Sequence, residues 1–173
     1  AYPKHNVSSR ISGEHPGTPG EPTWHLDPAI GMDNLLHGFP AFGVALAIEI
    51  NNRVNHATVL FPTLQEEFTA SRGSGAQLNA RRLRVRNGDD LKNTLIGVDP
   101  ADLDAVLLIG LSSELIDKGG QFRALGDTSL DILQVAAGRY SGGWGKVSSG
   151  PGLQAALLVL QEAGGIAGTP SGR

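Results

Sequence analysis

The sequence has no cysteine in 173 residues. That excludes a disulfide framework, a thiolate metal centre and a cysteine nucleophile, and it points to the cytoplasm, where folding needs no covalent staples. Aromatic residues are scarce, at 5% of the chain, so the core has to be aliphatic. No apolar run approaches the roughly 18 residues of a membrane-spanning helix, and the polar, proline-rich N-terminal region lacks the apolar stretch of a signal peptide. No membrane association is expected. An excess of one charge is missing too: 14 basic against 17 acidic residues give a formal net charge of −3, with no global pull toward nucleic acid or an anionic surface.

Leu, Ile, Val and Phe together make up about 27% of the chain, above the roughly 20% below which ordering entropy goes uncompensated. The length fits one globular unit. With 24 glycines and 10 prolines, turns are many and elements short.

Residues 1–21, punctuated by Pro3, Pro16 and Pro19, read as an extended arm or loop with little core of its own. Phe42–Ile50 and Val54–Phe61, separated by Asn51-Asn52, predict a β-hairpin. Glu67–Ser71 and Leu83–Val85 predict further strands, with RGSGAQLN as a glycine-rich connection between them. Leu103, Val106, Leu107 and Leu111 recur at helical spacing from Asp102 onward. A second helix spans Leu125 to Gly138, capped by Asp127 or Thr128, and a third runs from Leu153 to Ala163 and stops at Gly164-Gly165. Strands first and helices later imply a mixed α and β fold with layered sheets.

Several short patterns carry little chemistry. Gly73-x-Gly75 is too short for a dinucleotide fingerprint, GGWGKVSSG lacks the Walker spacing, and His5, His15, His25, His37 and His56 show no paired metal spacing. Ser112-Ser113 and Ser148-Ser149 have no flanking base motif.

The most informative stretch is TWHLDPAIGMDNLLHGFPAFGVALAIEI. On physics alone Asp27-Pro28 ends a strand, Gly31 permits a bend, and Asp33-Asn34 caps a turn. With its surroundings it resembles the signature of the inositol monophosphatase family, W-x-[ILV]-D-P-[IL]-D-G-T-x-N-[FY] followed by an H-G-F-P-x-F strand: Trp24, Asp27, Pro28, Gly31, Asn34, His37, Gly38, Phe39 and Pro40 fall in step. Further blocks agree in order: Gly13-Glu14 with the family's G-E-E, FTASRGSGAQLNARRLRV with its R-G-x-G-A segment, FRALGDTSLDILQVAAGR with its G-[ST]-A-A-x-D block, and LLVLQEAGGIAG with its E-A-G-G helix end.

The resemblance implies a layered αβαβα sandwich of the sugar-phosphatase type shared by inositol monophosphatase and fructose bisphosphatase. Against that pattern a truncated sandwich is expected, without the family's helical segment before G-E-E and its strand and helix after E-A-G-G. Residues 1–95 are expected to form an N-terminal α+β part carrying the remnant of the metal site, and 96–173 an incomplete C-terminal α/β part of one compact unit. The family's activity is Mg²⁺-dependent phosphomonoester hydrolysis, in which clustered carboxylates hold hard cations. By family position the metal groups are Glu14, Asp27 and the Ala29 carbonyl, with Asp33 a further candidate; Gly31, Asn34, Gly126, Asp127 and Thr128 are the substrate-binding positions.

Other positions depart from the pattern. Ile30 replaces the second Asp and Met32 the Thr that holds the attacking water. Pro151-Gly152 replaces the W-D pair, and Gly145 stands where an inositol-binding Glu is common. None of these side chains coordinates Mg²⁺, so weak or absent Mg²⁺ binding is expected, and the reading is a catalytically impaired protein acting as a binding or assembly subunit, in a homo-oligomer or a larger assembly. The alternative is a weak Mg²⁺-dependent phosphatase acting on inositol or sugar phosphates. Arg82, Arg84 and Arg86 alternate with Leu83 and Val85 and share one face in a strand. A solvated face is the first reading and a protein or RNA contact the alternative, with nucleic-acid affinity blunted by Asp89 and Asp90.

Overall fold

Two β-sheets with helices packed between and beside them make up the structure, a computed structural model describing residues 2–88, 90–101, 104–145 and 150–169. The larger sheet begins with β1 (Asn6–Ser9) and β2 (Gly13–His15), continues through β3 (Thr23–Ile30), and after the one-turn helix α1 (Met32–Leu36) takes in β4 (Gly43–Ile50), β5 (Arg53–Phe61), β6 (Glu66–Ser71), β7 (Gly75–Leu78) and β8 (Arg81–Arg82). Its order is β2-β1-β3-β4-β5-β6-β7-β8. The smaller sheet comprises β9 (Leu95–Val98), β10 (Gln121–Arg123) and β11 (Gly142–Trp144), all parallel, in the order β10-β9-β11. Helices α2 (Ala105–Asp117), α3 (Thr128–Ala136) and α4 (Pro151–Glu162) complete the chain.

The core follows from period-two burial along the strands. Ala45, Ala47, Ala57, Val59, Phe61, Phe68 and Ala70 all point to one face of the large sheet. The small alanines at 45, 47, 57 and 70 let α4 lie close across β3 to β7, with Ala155, Ala156, Leu158 and Val159 buried against this face. Helix α3 packs on α4 and on β9 and β11, while α2 packs beside β10. The layers therefore run sheet, helices, sheet, helix, which is the mixed layered fold expected from the sequence.

The β4–β5 hairpin forms as the sequence predicts: Asn51 and Asn52 both take positive φ, 53° and 58°, which matches the twist of the flanking strands. Asp127 is the N-cap of α3, its side chain accepting from Ser129 N at 2.7 Å.

Four expectations are corrected. Residues 1–21 are not a bare arm, because β1 runs parallel to β3 in register from Asn6↔Thr23 to Ser9↔Leu26, and β2 folds back on β1. Gly75–Leu78 of the glycine-rich connection is strand β7, paired with β6. Leu83–Val85 is not a strand, since Val85 N donates to the Ala163 carbonyl beyond α4 instead of to a neighbouring strand. Helix α2 exists, capped by Asp104, but its apolar face is largely open, with Val106 79% and Ile109 68% exposed and Leu115 its buried residue. Leu103, Asp89, Ser148 and Ser149 lie outside the described residues.

Candidate functional site

At the end of β3 a bulge between Asp27 and Ile30 turns the chain into the large sheet's layer boundary. Asp27 is 5% exposed, and such a carboxylate needs partners. It finds them in Arg10, whose Nε donates to Asp27 Oδ1 at 2.7 Å, and in the Ala29 amide at 3.2 Å. The same guanidinium donates through its second nitrogen to the Ala29 carbonyl. Arg10 is placed by the strand before it: β1 extends alongside β3, and Arg10 N donates to the Leu26 carbonyl at 3.0 Å.

Arg10, Asp27, Met32, Asp99, Asp127 and Thr128 line a cleft of about 320 Å³, with Gly126 and Ala29 also on its wall. Gly31 is left-handed at φ 68°, and a Cβ there would lie 2.6 Å from the Ala41 carbonyl, so glycine alone fits. Its amide donates to Asp127 Oδ2 at 2.8 Å. Asn34 Nδ2 donates to the carbonyls of Ala41 and Leu125, at 2.8 and 2.7 Å. Thr128 Oγ1 donates to Asp99 Oδ2 at 2.9 Å. Of the positions assigned to substrate, Gly31 thus binds Asp127, and Asn34 binds the backbone at Ala41 and Leu125; together they staple the β3–α1 corner to the start of α3.

Glu14 is not in this cleft. The β1–β2 register sets Ser8 opposite Glu14, on the outermost strand, where the exposed carboxylate accepts from Ser8 Oγ. The expectation that Glu14 meets Asp27 is therefore corrected: the strand order leaves β1 between them, and Arg10 stands beside Asp27 instead. Asp33 is exposed in the first turn of α1, neither lining the cleft nor capping the helix. Met32 opens α1 at the cleft wall.

Ile30 is 2% exposed and belongs to the hydrophobic core. Gly152, at the start of α4, lies directly against it. A Cβ on Gly152 would come within 2.4 Å of Ile30 Cγ2 and 2.9 Å of Asp27 Oδ2. Gly145 is similarly crowded, since a Cβ there would meet Thr128 Oγ1 at 2.6 Å. A side chain at 152 would therefore run into the Ile30 hydrocarbon and the Asp27 carboxylate.

Sequence reasoning missed Arg10, Asp99 and Asp131. Asp131, on α3, is 3% exposed, and neither oxygen has a hydrogen-bond partner among the described residues. Burial, helped by the charges of Asp99 and Asp127, pushes its carboxyl up to about 7. It faces a second, mostly apolar cavity of about 620 Å³ walled by Ile132, Val135, Trp144, Leu157 and Leu160. The signal for Asp131 was its place among Leu130, Ile132 and Leu133, an acid inside an apolar run. Arg10 has no local signal, because the β1–β3 register that sets it beside Asp27 joins residues distant in the chain.

The model of the inositol monophosphatase family matches residues 1–173. Nus factor SuhB of Pseudomonas aeruginosa is 39% identical, over 96% of this chain and 64% of its own length. Nus factor SuhB of Escherichia coli K12 is 36% identical, over 96% and 63%. Among solved structures, extragenic suppressor protein suhB from Bartonella henselae superposes with a TM-score of 0.85 at 33% identity, covering 94% of this chain and 63% of that one. Inositol monophosphatase from Anabaena gives a TM-score of 0.80 at 27% identity, covering 94% and 66%. This chain thus spans 63% to 66% of the length of each of these relatives.

Proposed function

Because the chain belongs to the inositol monophosphatase family, its departures from the family pattern carry the functional reading, and we propose that it is a non-catalytic member serving as a binding or assembly subunit. The family's Mg²⁺ is the ion to test against the residues present, and they do not fit it. Hard cations require several oxygen ligands with room between them. Here one Asp27 oxygen and the Ala29 carbonyl already accept from a guanidinium. The observation that carries the reading is the packing of Ile30 against Gly152, two positions that supply no side-chain oxygen beside Asp27. No step of phosphate hydrolysis is derived for such a site.

An assembly role is supported by the outer face of the large sheet. Val44 and Leu60 are cross-strand partners, both exposed, and the bond from Thr63 Oγ1 to the Pro40 carbonyl brings the Leu64 turn beside exposed Phe39. Such a patch is a protein contact more often than a bare surface. Relatives bearing the name Nus factor are in keeping with a factor that acts by association. Arg82, Arg84 and Arg86 are all exposed, with Leu83 buried between the first two, and remain the candidate for an RNA contact within such an assembly.

The test is phosphate release from a panel of inositol and sugar phosphomonoesters with millimolar Mg²⁺, using protein freed of host phosphatases. No release above that of an Asp27→Asn control is expected. Mg²⁺-dependent turnover that the Asp27→Asn substitution abolishes would establish the alternative, a Mg²⁺-dependent phosphatase.

A further inference from the structure

We infer that Arg10 supplies, as part of the polypeptide, the positive charge that the Asp27 pocket would otherwise take from a divalent ion, so that this region of the fold is complete without metal. This deepens the reading above, since it rests on Asp27 and the Ala29 carbonyl being cation-binding groups. It can fail separately, because it concerns stability and not turnover.

Three observations carry it. The guanidinium touches both groups at once, Nε on Asp27 Oδ1 and the terminal nitrogen on the Ala29 carbonyl, a planar fork of donors spanning a carboxylate and a carbonyl. Those are two oxygens of different chemistry, gathered by the β3 bulge, that a single bound cation would bridge. Next, Asp27 is buried while Arg10 is 36% exposed in its side chain, so the carboxylate is fixed by the fold and the cation enters from the solvent side of the cleft. Last, the other acids on the cleft wall are engaged elsewhere: Asp127 by the amides of Gly31 and Ser129, Asp99 by Thr128 and the Ala101 amide. Among the described residues Arg10 is the positive charge paired with Asp27, and removing it leaves a buried anion uncompensated.

The experiment is thermal unfolding of the chain and of Arg10→Ala, in MgCl₂, MnCl₂ or ethylguanidinium chloride, each against tetramethylammonium chloride at matched ionic strength. The parent is expected to show no saturable response to any of the three cations. Arg10→Ala is expected to melt roughly 5–10 °C lower and to recover saturably with ethylguanidinium or a divalent cation. If Arg10→Ala does not fold, the double variant Arg10→Ala/Asp27→Asn is decisive. A neutral amide at 27 needs no cation, so the double variant is expected to fold and to ignore all three cations. A saturable Mg²⁺ response in the parent would overturn the inference. So would an Arg10→Ala protein that melts with the parent or that no cation restores, or a double variant no better folded than the single one.

Discussion

A buried carboxyl group without a cation or a hydrogen-bond donor favours its protonated form, and among the described residues Asp131 is such a group. Its pKa rises from 3.8 to about 7 through burial first and then through Asp99 and Asp127. The folded chain therefore holds a proton that the unfolded chain releases over that interval. Its effect on stability is nil below about pH 4, turns unfavourable as the pH climbs from 4 to 7, and levels off above. Asp131→Asn keeps the shape without the ionisation. Urea unfolding at several pH values is expected to show the variant gaining on the parent between pH 4 and pH 7, with a constant advantage beyond. A difference that stays flat across that range would mean that Asp131 finds a partner in solution. Asp27, equally buried, illustrates the contrary solution, a resident guanidinium.

At the scale of elements, the two glycine-rich blocks that the sequence shows far apart, RGSG and EAGG, meet in space. Glu162, at the end of α4, accepts from Gly73 N with one oxygen and from Gly75 N with the other, each at 2.8 Å. A carboxylate pinning two amides of the β6–β7 turn closes the helix onto the sheet it covers. Glu162→Ala is expected to cost about 1.5–3 kcal/mol, the range for hydrogen bonds to a charged group. In the parent the amides of Gly73 and Gly75 should exchange slowly with deuterium although they lie in a turn, and in the variant they should exchange at the rate of open loops. What could be read from the sequence follows the same division. The β4–β5 hairpin and the capped helix α3 were legible because period, turn residues and cap all lie within a dozen residues of one another. The β1–β3 pairing was not, because parallel register between Asn6 and Thr23 leaves no local trace, and a two-residue Gly13-Glu14 match set the first block four residues away from Arg10. In the candidate site, Asp27, Ile30 and Gly152 could be singled out from motifs. That Ile30 fills the place beside Gly152 depends on packing between distant elements, which no motif encodes.

For the whole molecule, two open apolar surfaces among the described residues are the outer face around Val44 and Leu60 and the exposed side of α2 with Val106, Leu107 and Ile109. We expect the chain to associate at micromolar concentration, with itself or with a partner, and Leu60→Lys to weaken that association without loss of fold, since Leu60 is 44% exposed. Sedimentation velocity checks both, and a stable monomer at every concentration would refute self-association. Helix α4 has 12 residues and so is about 18 Å long. Gly152 at its first turn rests on Ile30 and Asp27, and Glu162 at its last turn is anchored in the β6–β7 turn. The helix is a strut braced at both ends. A load applied near Gly73 would reach the floor of the cleft as a push along the helix axis, so that a clamp on this turn would stiffen the far pocket without touching it.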